Sequence, residues 1–193
     1  IPLLITENMF LVNWFKNLLY SLPLFRKEAR ILFLGLENAG KTSMMLRLTE
    51  NRFAQLDPTN FAQSKEIQMG RVKFRAFDLG GQETMRKIWG NYFEGVNGII
   101  YIVDSADLEC LETSAKELQR LIEDPKLSEI PILVFGNKVD KSKAVSKEEL
   151  AEKLGLVDKN NEKLTRDNIE LFMCSVAKNS GIAVGFEWFS SKV

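Results

Sequence analysis

Residues 35–42 read GLENAGKT, and this stretch decides the fold. It fits the pattern G-x-x-x-x-G-K-[ST], with the apolar run ILFL directly before it and a helical pattern after it. Glycines allow the backbone to fold closely round a phosphate, so that successive N–H groups point inward at a helix N-terminus. Strand, loop and helix in this order predict a phosphate-binding loop. The alternative is a glycine-rich turn that binds nothing.

Within this loop, Lys41 is placed to reach the β- and γ-phosphates of a nucleotide, and the Thr42 hydroxyl is placed to bind Mg²⁺. The other phosphate contacts are expected from neighbouring residues, namely Glu37, Asn38, Ala39, Gly40 and Ser43. The motif by itself does not distinguish ATP from GTP.

Outward from the loop, short apolar runs alternate with helical patterns, which predicts an α/β sheet with crossover connections. Strands are expected at Arg30–Leu34, Lys65–Met69, Val72–Phe77, Gly98–Val103, Ile132–Phe135 and Ile169–Met173. Helices are expected at Lys41–Glu50, Leu108–Glu123, Ser146–Leu154 and Ile182–Ser190. In IQMGRVKF, residues 67–74, Gly70 separates two strands with no room for a helix. We therefore expect a hairpin and a mixed six-stranded sheet flanked by helices.

Length and composition exclude several classes of protein. At 193 residues the chain has the length of one domain, and its 26 basic side chains balance 26 acidic ones, so nothing predicts nucleic-acid binding. Cys110 and Cys174 form no C-x-x-C pair, so neither a disulfide framework nor a zinc site is expected. No apolar run reaches the roughly 20 residues that cross a bilayer.

Residues 137–140 read NKVD and follow the fifth predicted strand. A carboxylate at Asp140 can accept hydrogen bonds from the ring N–H and the exocyclic amino group of guanine, whereas adenine offers neither donor there. Asn137 can brace the loop, and the stem of Lys138 can cover the base. An exposed polar turn is the alternative, but the position after a buried strand favours guanine. Backbone amides after the last strand could meet guanine O6; they belong to Ser175, Val176 and Ala177.

Together, GLENAGKT, DLGG at 78–81, NKVD and FMCSV at 172–176 stand in the order and spacing of Ras-like small GTPases. The chain resembles the Sar branch of the Arf/Sar group, the GTPases that start coat protein complex II assembly at the endoplasmic reticulum. FDLGG, FMCS and the GFEWFS end point to Sar rather than Arf. The resemblance covers nearly the whole chain from about Met9, and it implies a P-loop, Ras-like fold that hydrolyses GTP with Mg²⁺.

The resemblance also implies roles in the two loops that respond to the nucleotide. Asp78 is expected to hold Mg²⁺ through water, Gly81 N–H to contact the γ-phosphate, and Thr59 to complete the Mg²⁺ shell only with GTP. Gln82 stands where this family orients the water that attacks the γ-phosphate. Without the phosphate loop, Asp78 would be an ordinary strand-end carboxylate and Thr59 an ordinary loop residue.

Gln82 is also a departure, because Sar proteins usually carry histidine there and this chain has no histidine. Glutamine is typical of Arf and Ras proteins, and its amide can accept from the water and donate to a γ-oxygen. The alternative is an exposed residue without a role. A second departure is Gln63–Ser64, where Sar sequences tend to have Pro-Thr. We expect the first departure to affect the hydrolysis rate and the fit to the activating partner rather than the reaction, and the second to affect partner contacts. We also expect an arginine to be supplied by a partner.

Residues 9–25, MFLVNWFKNLLYSLPLF, repeat apolar residues at a helical period. The pattern predicts an amphipathic helix that lies on a phospholipid surface, with a core-packing helix or a signal peptide as alternatives. The membrane contacts are expected from Phe10, Leu11, Trp14, Phe15, Leu18 and Leu19. The expected division is an extension or expression remnant at 1–8, this helix at 9–25 and a GTPase domain at 26–193.

By resemblance, GTP releases the helix, so that the chain recruits the vesicle coat for transport from the endoplasmic reticulum to the Golgi. The implied partners are GTP or GDP, an exchange factor in the endoplasmic reticulum membrane, a coat inner-shell subunit that activates the GTPase, and phospholipid. A cytoplasmic monomer, peripheral on endoplasmic reticulum and Golgi membranes, is expected. The alternatives are an Arf-like GTPase of another membrane, a GTP-binding scaffold with negligible hydrolysis, and a P-loop kinase or ATPase, which NKVD disfavours.

Overall fold

The computed structural model describes residues 29–50, 63–69, 72–158, 160, 162–163 and 165–193. Thr59 and the expected extension at 1–8 lie outside these ranges. The predicted helix at 9–25 also lies outside them, together with its expected membrane contacts Phe10, Leu11, Trp14, Phe15, Leu18 and Leu19.

Six described strands form one sheet in the order β2-β3-β1-β4-β5-β6. Their bounds are β1 Ala29–Leu34, β2 Gln63–Met69, β3 Val72–Asp78, β4 Gly98–Asp104, β5 Ile132–Asn137 and β6 Ile169–Met173. The β2–β3 pair is antiparallel, and every other neighbouring pair is parallel. The predicted mixed sheet with one antiparallel pair is therefore confirmed, while Gly70, where the turn is expected, lies outside the described residues.

The described helices are α1 Lys41–Glu50, α2 Glu83–Arg86, α3 Leu111–Glu123, α4 Lys147–Lys153 and α5 Ile182–Ser190. Single turns of 3-10 helix occur at Trp89–Tyr92 and Pro125–Leu127. Within the described part of the chain, no helix is long and apolar enough to cross a membrane.

Most predicted bounds are confirmed to within two residues, and one is wrong by more. The long helix begins at Leu111 and not at Leu108, because residues 107–110 form a turn in which Cys110 N–H donates to the Asp107 carboxylate at 3.3 Å. The strand expected at Lys65 begins at Gln63, and the one expected to end at Phe135 continues to Asn137. β2 pairs with β3 and β5 pairs with β4, and this backbone hydrogen bonding extends both strands into polar residues that the apolar pattern does not include.

The core has two layers because side chains of the central strands alternate between the faces of the sheet. One layer contains Phe33, Ile102 and Phe135, packed against Met44 of α1 and Phe186 of α5. The other layer lies on the opposite face, under α3 and α4, and its members include Leu34, Tyr101, Val134, Leu118 and Leu150. This packing holds the carboxyl ends of the five parallel strands at one edge, which is where ligands bind in such sheets.

Candidate functional site

The phosphate loop joins β1 to α1 at this edge. Gly40 has φ +104°, a conformation that side chains rarely adopt, and a Cβ there would collide with Nδ2 of Asn137. The N–H groups of Glu37, Asn38 and Gly40 have no hydrogen-bond acceptor among the described residues, whereas Ala39 N–H donates to Leu36 O at 3.4 Å. Several unpaired N–H groups in one loop form a concave site for an anion.

Lys41 is a buried cation at the start of α1. Its side chain is only 5% exposed, and its Nζ donates to Leu36 O at 2.7 Å. Burial lowers the pKa of Lys41 to about 8, although the charges of Asp78 and Glu37 act in the opposite direction. An anion beside Lys41 would favour the charged form of its side chain. Lys41 and the N–H groups of the loop therefore both favour a bound anion.

Thr42 and Asp78 meet next to Lys41. The Thr42 hydroxyl donates a hydrogen bond to Oδ2 of Asp78, which ends β3 and is 1% exposed. No cluster of three or more His, Cys, Asp or Glu occurs in the described ranges. The pair in contact here supplies one carboxylate and one hydroxyl. Oxygen donors in small number fit Mg²⁺, which keeps waters and phosphate oxygens as its other ligands.

The segment after Asp78 lies against the phosphate loop. Trp89, which is 3% exposed, donates from Nε1 to Gly80 O at 3.2 Å. Because the peptide is planar and trans, the Gly81 N–H points away from Trp89. A Cβ at Gly81 would collide with the backbone of Leu36 and Glu37, so only glycine allows this approach.

Gln82 follows directly and is the N-terminal cap residue of α2. Its carbonyl accepts from Met85 N–H and from Arg86 N–H, both at 3.0 Å, and its side chain is half-buried. The predicted catalytic side chain is therefore carried on the first turn of a short helix, next to the segment that touches the phosphate loop.

Asn137 joins the phosphate loop to the loop after β6. Its Nδ2 donates to Ala39 O at 2.8 Å, and its Oδ1 accepts from Val176 N–H at 3.1 Å. The side chain is 2% exposed. The predicted bracing contact of Asn137 thus connects both loops.

The remaining NKVD side chains lie on the open side of these loops. The Ser175 hydroxyl donates to Oδ1 of Asp140, and this bond is the main reason why the pKa of Asp140 lies below its ordinary value. Asp140 is therefore ionised at neutral pH and can accept from two donors. Lys138 has φ +68°, and its Nζ lies 2.6 Å from Oδ2 of Asp104, so its stem is fixed along the site.

Sequence reasoning missed four residues that support this site: Arg47, Trp89, Asp104 and Ser105. Ser105 is fully buried and donates from Oγ to Asn137 O at 2.6 Å. A signal for the pair at 104–105 existed, since polar residues directly after β4 must lie at the same edge as the phosphate loop. No local pattern marks Arg47 or Trp89.

The structure thus brings the phosphate-loop residues, Asp78, Gly81, Gln82, the NKVD side chains and residues 175–177 to one edge of the sheet. Thr59 lies outside the described residues. A Ras-like arrangement of sheet, phosphate loop and base loop defines the class as a P-loop nucleotide-binding protein.

Comparison with known proteins identifies the family. The sequence profile of the ADP-ribosylation factor family matches residues 15–193. The chain is 39% identical over 184 residues to the small COPII coat GTPase SAR1 of Giardia intestinalis, which covers 92% of this chain and 96% of that protein. It is 37% identical over 202 residues to the protein of the same name from Nicotiana tabacum, covering 96% and 100%.

The fold agrees with a solved relative, the Arl6 (BBS3) small GTPase of Trypanosoma brucei with bound nucleotide analogue GppNp. The TM-score is 0.73 at 26% identity, and the match covers 86% of this chain and 96% of the other. The chain belongs to the ADP-ribosylation factor family of small GTPases, which bind guanine nucleotides and hydrolyse GTP. The predicted Ras-like fold and the predicted GTPase activity are both confirmed.

Proposed function

We propose that this GTPase is a membrane switch that, with GTP bound, inserts its N-terminal helix into the endoplasmic reticulum membrane and recruits a vesicle coat. The observation that carries the site assignment is the meeting of Lys41, Thr42 and Asp78 beside a loop of unpaired N–H groups. The names of the SAR1 relatives, small COPII coat GTPases, support the coat.

The phosphate loop binds the phosphates in this proposal. The N–H groups of Glu37, Asn38 and Gly40, with those that open α1 at Lys41, Thr42 and Ser43, surround the phosphate oxygens. Ala39 N–H would join them by giving up its 3.4 Å bond to Leu36 O. The charge of Lys41 offsets the charge of the β- and γ-phosphates in a place where water cannot, because its side chain is buried.

The base loop selects guanine. The ionised Asp140 accepts from the ring N–H and the amino group, and the Lys138 stem covers the base. Asn137 holds this loop to the phosphate loop, so that base and phosphates are bound in fixed relative positions. Residues 175–177 face the O6 edge.

The oxygens of Thr42 and Asp78 fit Mg²⁺, which would neutralise charge on the β- and γ-phosphate oxygens. Thr42 would ligate through its hydroxyl and Asp78 through water, and Thr59 would join them only when GTP is bound. The hydrogen bond between Thr42 and Asp78 keeps both oxygens in the same place.

Gln82 orients the attacking water. Its amide oxygen accepts a hydrogen bond from the water and its amide N–H donates one to a γ-phosphate oxygen, so the oxygen of the water faces the phosphorus. The short helix α2 sets the position of this side chain. An arginine from the activating partner would complete the charge stabilisation.

The switch itself is supported by the contact between Gly81 and the phosphate loop. For Gly81 N–H to reach a γ-phosphate, that phosphate must lie between two segments that touch in this structure. GTP would therefore move residues 79–82, and β3 is continuous with them, so the β2–β3 hairpin would move as well. A displaced hairpin would release the helix at 9–25.

The partners follow from this proposal. They are an exchange factor in the endoplasmic reticulum membrane, a coat inner-shell subunit that activates hydrolysis, and phospholipid, on the cytosolic faces of endoplasmic reticulum and Golgi membranes. In solution the protein would be a monomer.

Single-turnover hydrolysis of preloaded GTP tests the catalytic assignment. We expect Gln82→Leu to slow hydrolysis roughly 100-fold, the lower end of the contribution of a side chain positioned at a reacting group. Removal of Mg²⁺ with EDTA should stop the reaction. The control is Glu83→Gln, at a 74% exposed position next to Gln82, which should leave the rate unchanged. An unaltered rate in Gln82→Leu would favour a role for Gln82 other than catalysis.

A further inference from the structure

The loop after β6 leaves one backbone donor for a ligand. Ser175 N–H donates to Ser180 O at 2.9 Å, Val176 N–H to Asn137 at 3.1 Å, and Lys178 N–H to Oγ of Ser175 at 3.0 Å. Ala177 N–H has no acceptor among the described residues, and Ala177 is exposed. Of the amides expected to meet guanine O6, this one is therefore available.

Arg47 helps to fix the direction of that donor. It lies on the last turn of α1, and its Nη2 donates to Val176 O at 3.1 Å and approaches Ala177 O at 3.4 Å. In a planar trans peptide the N–H points opposite to the C=O of the preceding residue. The Val176 carbonyl also accepts from Asn179 N–H at 3.4 Å. The guanidinium and this turn together direct the Ala177 N–H to the opposite side of the loop.

The opposite side is where the base would lie. Asp140, the expected partner of the guanine ring N–H and amino group, is bonded to Ser175, two residues before Ala177. Guanine carries O6 on the same edge of the base as the donors for Asp140. A base that pairs with Asp140 thus presents O6 towards residues 175–177.

We propose that Arg47 is a specificity-determining positioning residue, which holds the Ala177 N–H towards guanine O6. The inference rests on the proposed binding of guanine at Asp140. It would also add a second reason, beside Asp140, for the site to reject adenine. Adenine has an amino donor at position 6, so the fixed N–H would face another donor instead of an acceptor.

A bracing role for Arg47 is the competing explanation. The same two hydrogen bonds join α1 to the loop, so their loss could loosen the site without any effect on O6 in particular. The two explanations differ in one measurable respect: bracing lowers affinity for every nucleotide equally, whereas donor positioning matters only when a good acceptor stands at position 6.

The test is the dissociation constant of three diphosphates with the full chain and its Arg47→Met variant, which keeps an unbranched apolar stem and removes the guanidinium. GDP has both features of the base, namely the two donors for Asp140 and the acceptor O6. Inosine diphosphate lacks the amino group but keeps O6. 6-Thioguanosine diphosphate keeps both donors for Asp140 and replaces O6 by sulfur, a weak acceptor.

We expect Arg47→Met to weaken GDP and inosine diphosphate about fivefold each, the equilibrium effect of one hydrogen bond, and 6-thioguanosine diphosphate by roughly twofold or less. Arg120→Met is the control, since Arg120 is 75% exposed on α3 and should change none of the three constants. An equal loss for all three nucleotides would overturn the proposal in favour of bracing, and no loss would reject any role at the base.

The unaltered chain separates this inference from the proposed base site. If it binds GDP no better than inosine diphosphate and ADP, the assignment of Asp140 is wrong. The inference about Arg47 then fails together with the proposed base site. If it prefers GDP but Arg47→Met shows no dependence on position 6, only the inference fails.

Discussion

Asp140 shows how much of the nucleotide preference can depend on a single side chain. Its carboxylate lies at the mouth of the site, kept ionised by the Ser175 hydroxyl, so it has accepting capacity left for two donors of one base. An amide at the same position would offer one acceptor and one pair of donors, which no longer matches guanine but matches the additional carbonyl of xanthine.

We therefore expect Asp140→Asn to weaken GDP at least about 100-fold, since hydrogen bonds to a charged group are worth roughly 1.5–3 kcal/mol each. Xanthosine diphosphate should then bind better than GDP. Competition between the two against a fluorescent nucleotide measures the change of preference. Asp167→Asn, at an exposed position in the same half of the chain, serves as the control. Retained GDP affinity in Asp140→Asn would remove Asp140 from the base site.

Residues of this kind could be predicted because their motif is local, whereas the residues that support them could not. NKVD and GLENAGKT are read from a few neighbouring positions. Arg47 and Val176, in contrast, are 129 residues apart, and Trp89 meets Gly80 only because a short turn folds back. A contact that depends on the packing of two distant elements leaves no periodic or spaced pattern in one sequence.

At the scale of elements, an ion pair holds α2 to α3. Nη1 of Arg86 lies 3.3 Å from Oε1 of Glu117, and both side chains are nearly buried, at 12% and 13% exposure. Nε and Nη1 of Arg86 have no hydrogen-bond acceptor among the described residues, so the attraction is one of charge rather than of aligned hydrogen bonds. The same carboxylate also meets Arg120 on the surface at 3.2 Å.

Replacing Glu117 by Gln should leave the Arg86 charge nearly buried and without its counter-charge. We expect the free energy of unfolding of the GDP-bound protein to fall by about 1–3 kcal/mol, and GTP hydrolysis to slow because α2 carries Gln82. Denaturant unfolding and single-turnover hydrolysis measure the two effects. Arg120→Ala breaks the exposed contact of the same carboxylate and should cost no more than about 1 kcal/mol. Equal effects of both changes would mean that the buried pair does not hold α2.

The boundaries of the helices and strands show which parts of the fold the hydrophobic pattern predicts. Apolar periodicity predicts α1, α5 and the central strands, because their burial requires it. It does not predict α2, which has no buried residue, nor the start of α3 at Leu111, where the side chain of Asp107 stabilises a turn instead of a helix. Local hydrogen bonds compete with helix formation at such ends, and hydrophobic pattern does not record them.

For the molecule as a whole, the proposal connects the nucleotide to a membrane. We expect a chain that begins at Met9 to float with liposomes when loaded with a non-hydrolysable GTP analogue and to stay in solution with GDP. A chain that begins at Arg26 should float in neither state. Replacing Trp14 by Ala should weaken flotation with the analogue, because an aromatic side chain is a strong interfacial anchor.

Equal flotation in both nucleotide states would contradict a GTP-released helix, while leaving the GTPase assignment in place. Binding by the chain that begins at Arg26 would place the membrane contact elsewhere on the protein.

The amide of Asn137 has a mechanical consequence. Its two ends hold the phosphate loop and the loop after β6, so a displacement of one loop is transmitted to the other. Moving either loop outward strains the hydrogen bond between Asn137 and the other loop. We therefore expect that a protein which promotes nucleotide release has to displace only one of the two loops. The other loop would be disturbed through Asn137, so that contacts to both ends of GDP weaken together.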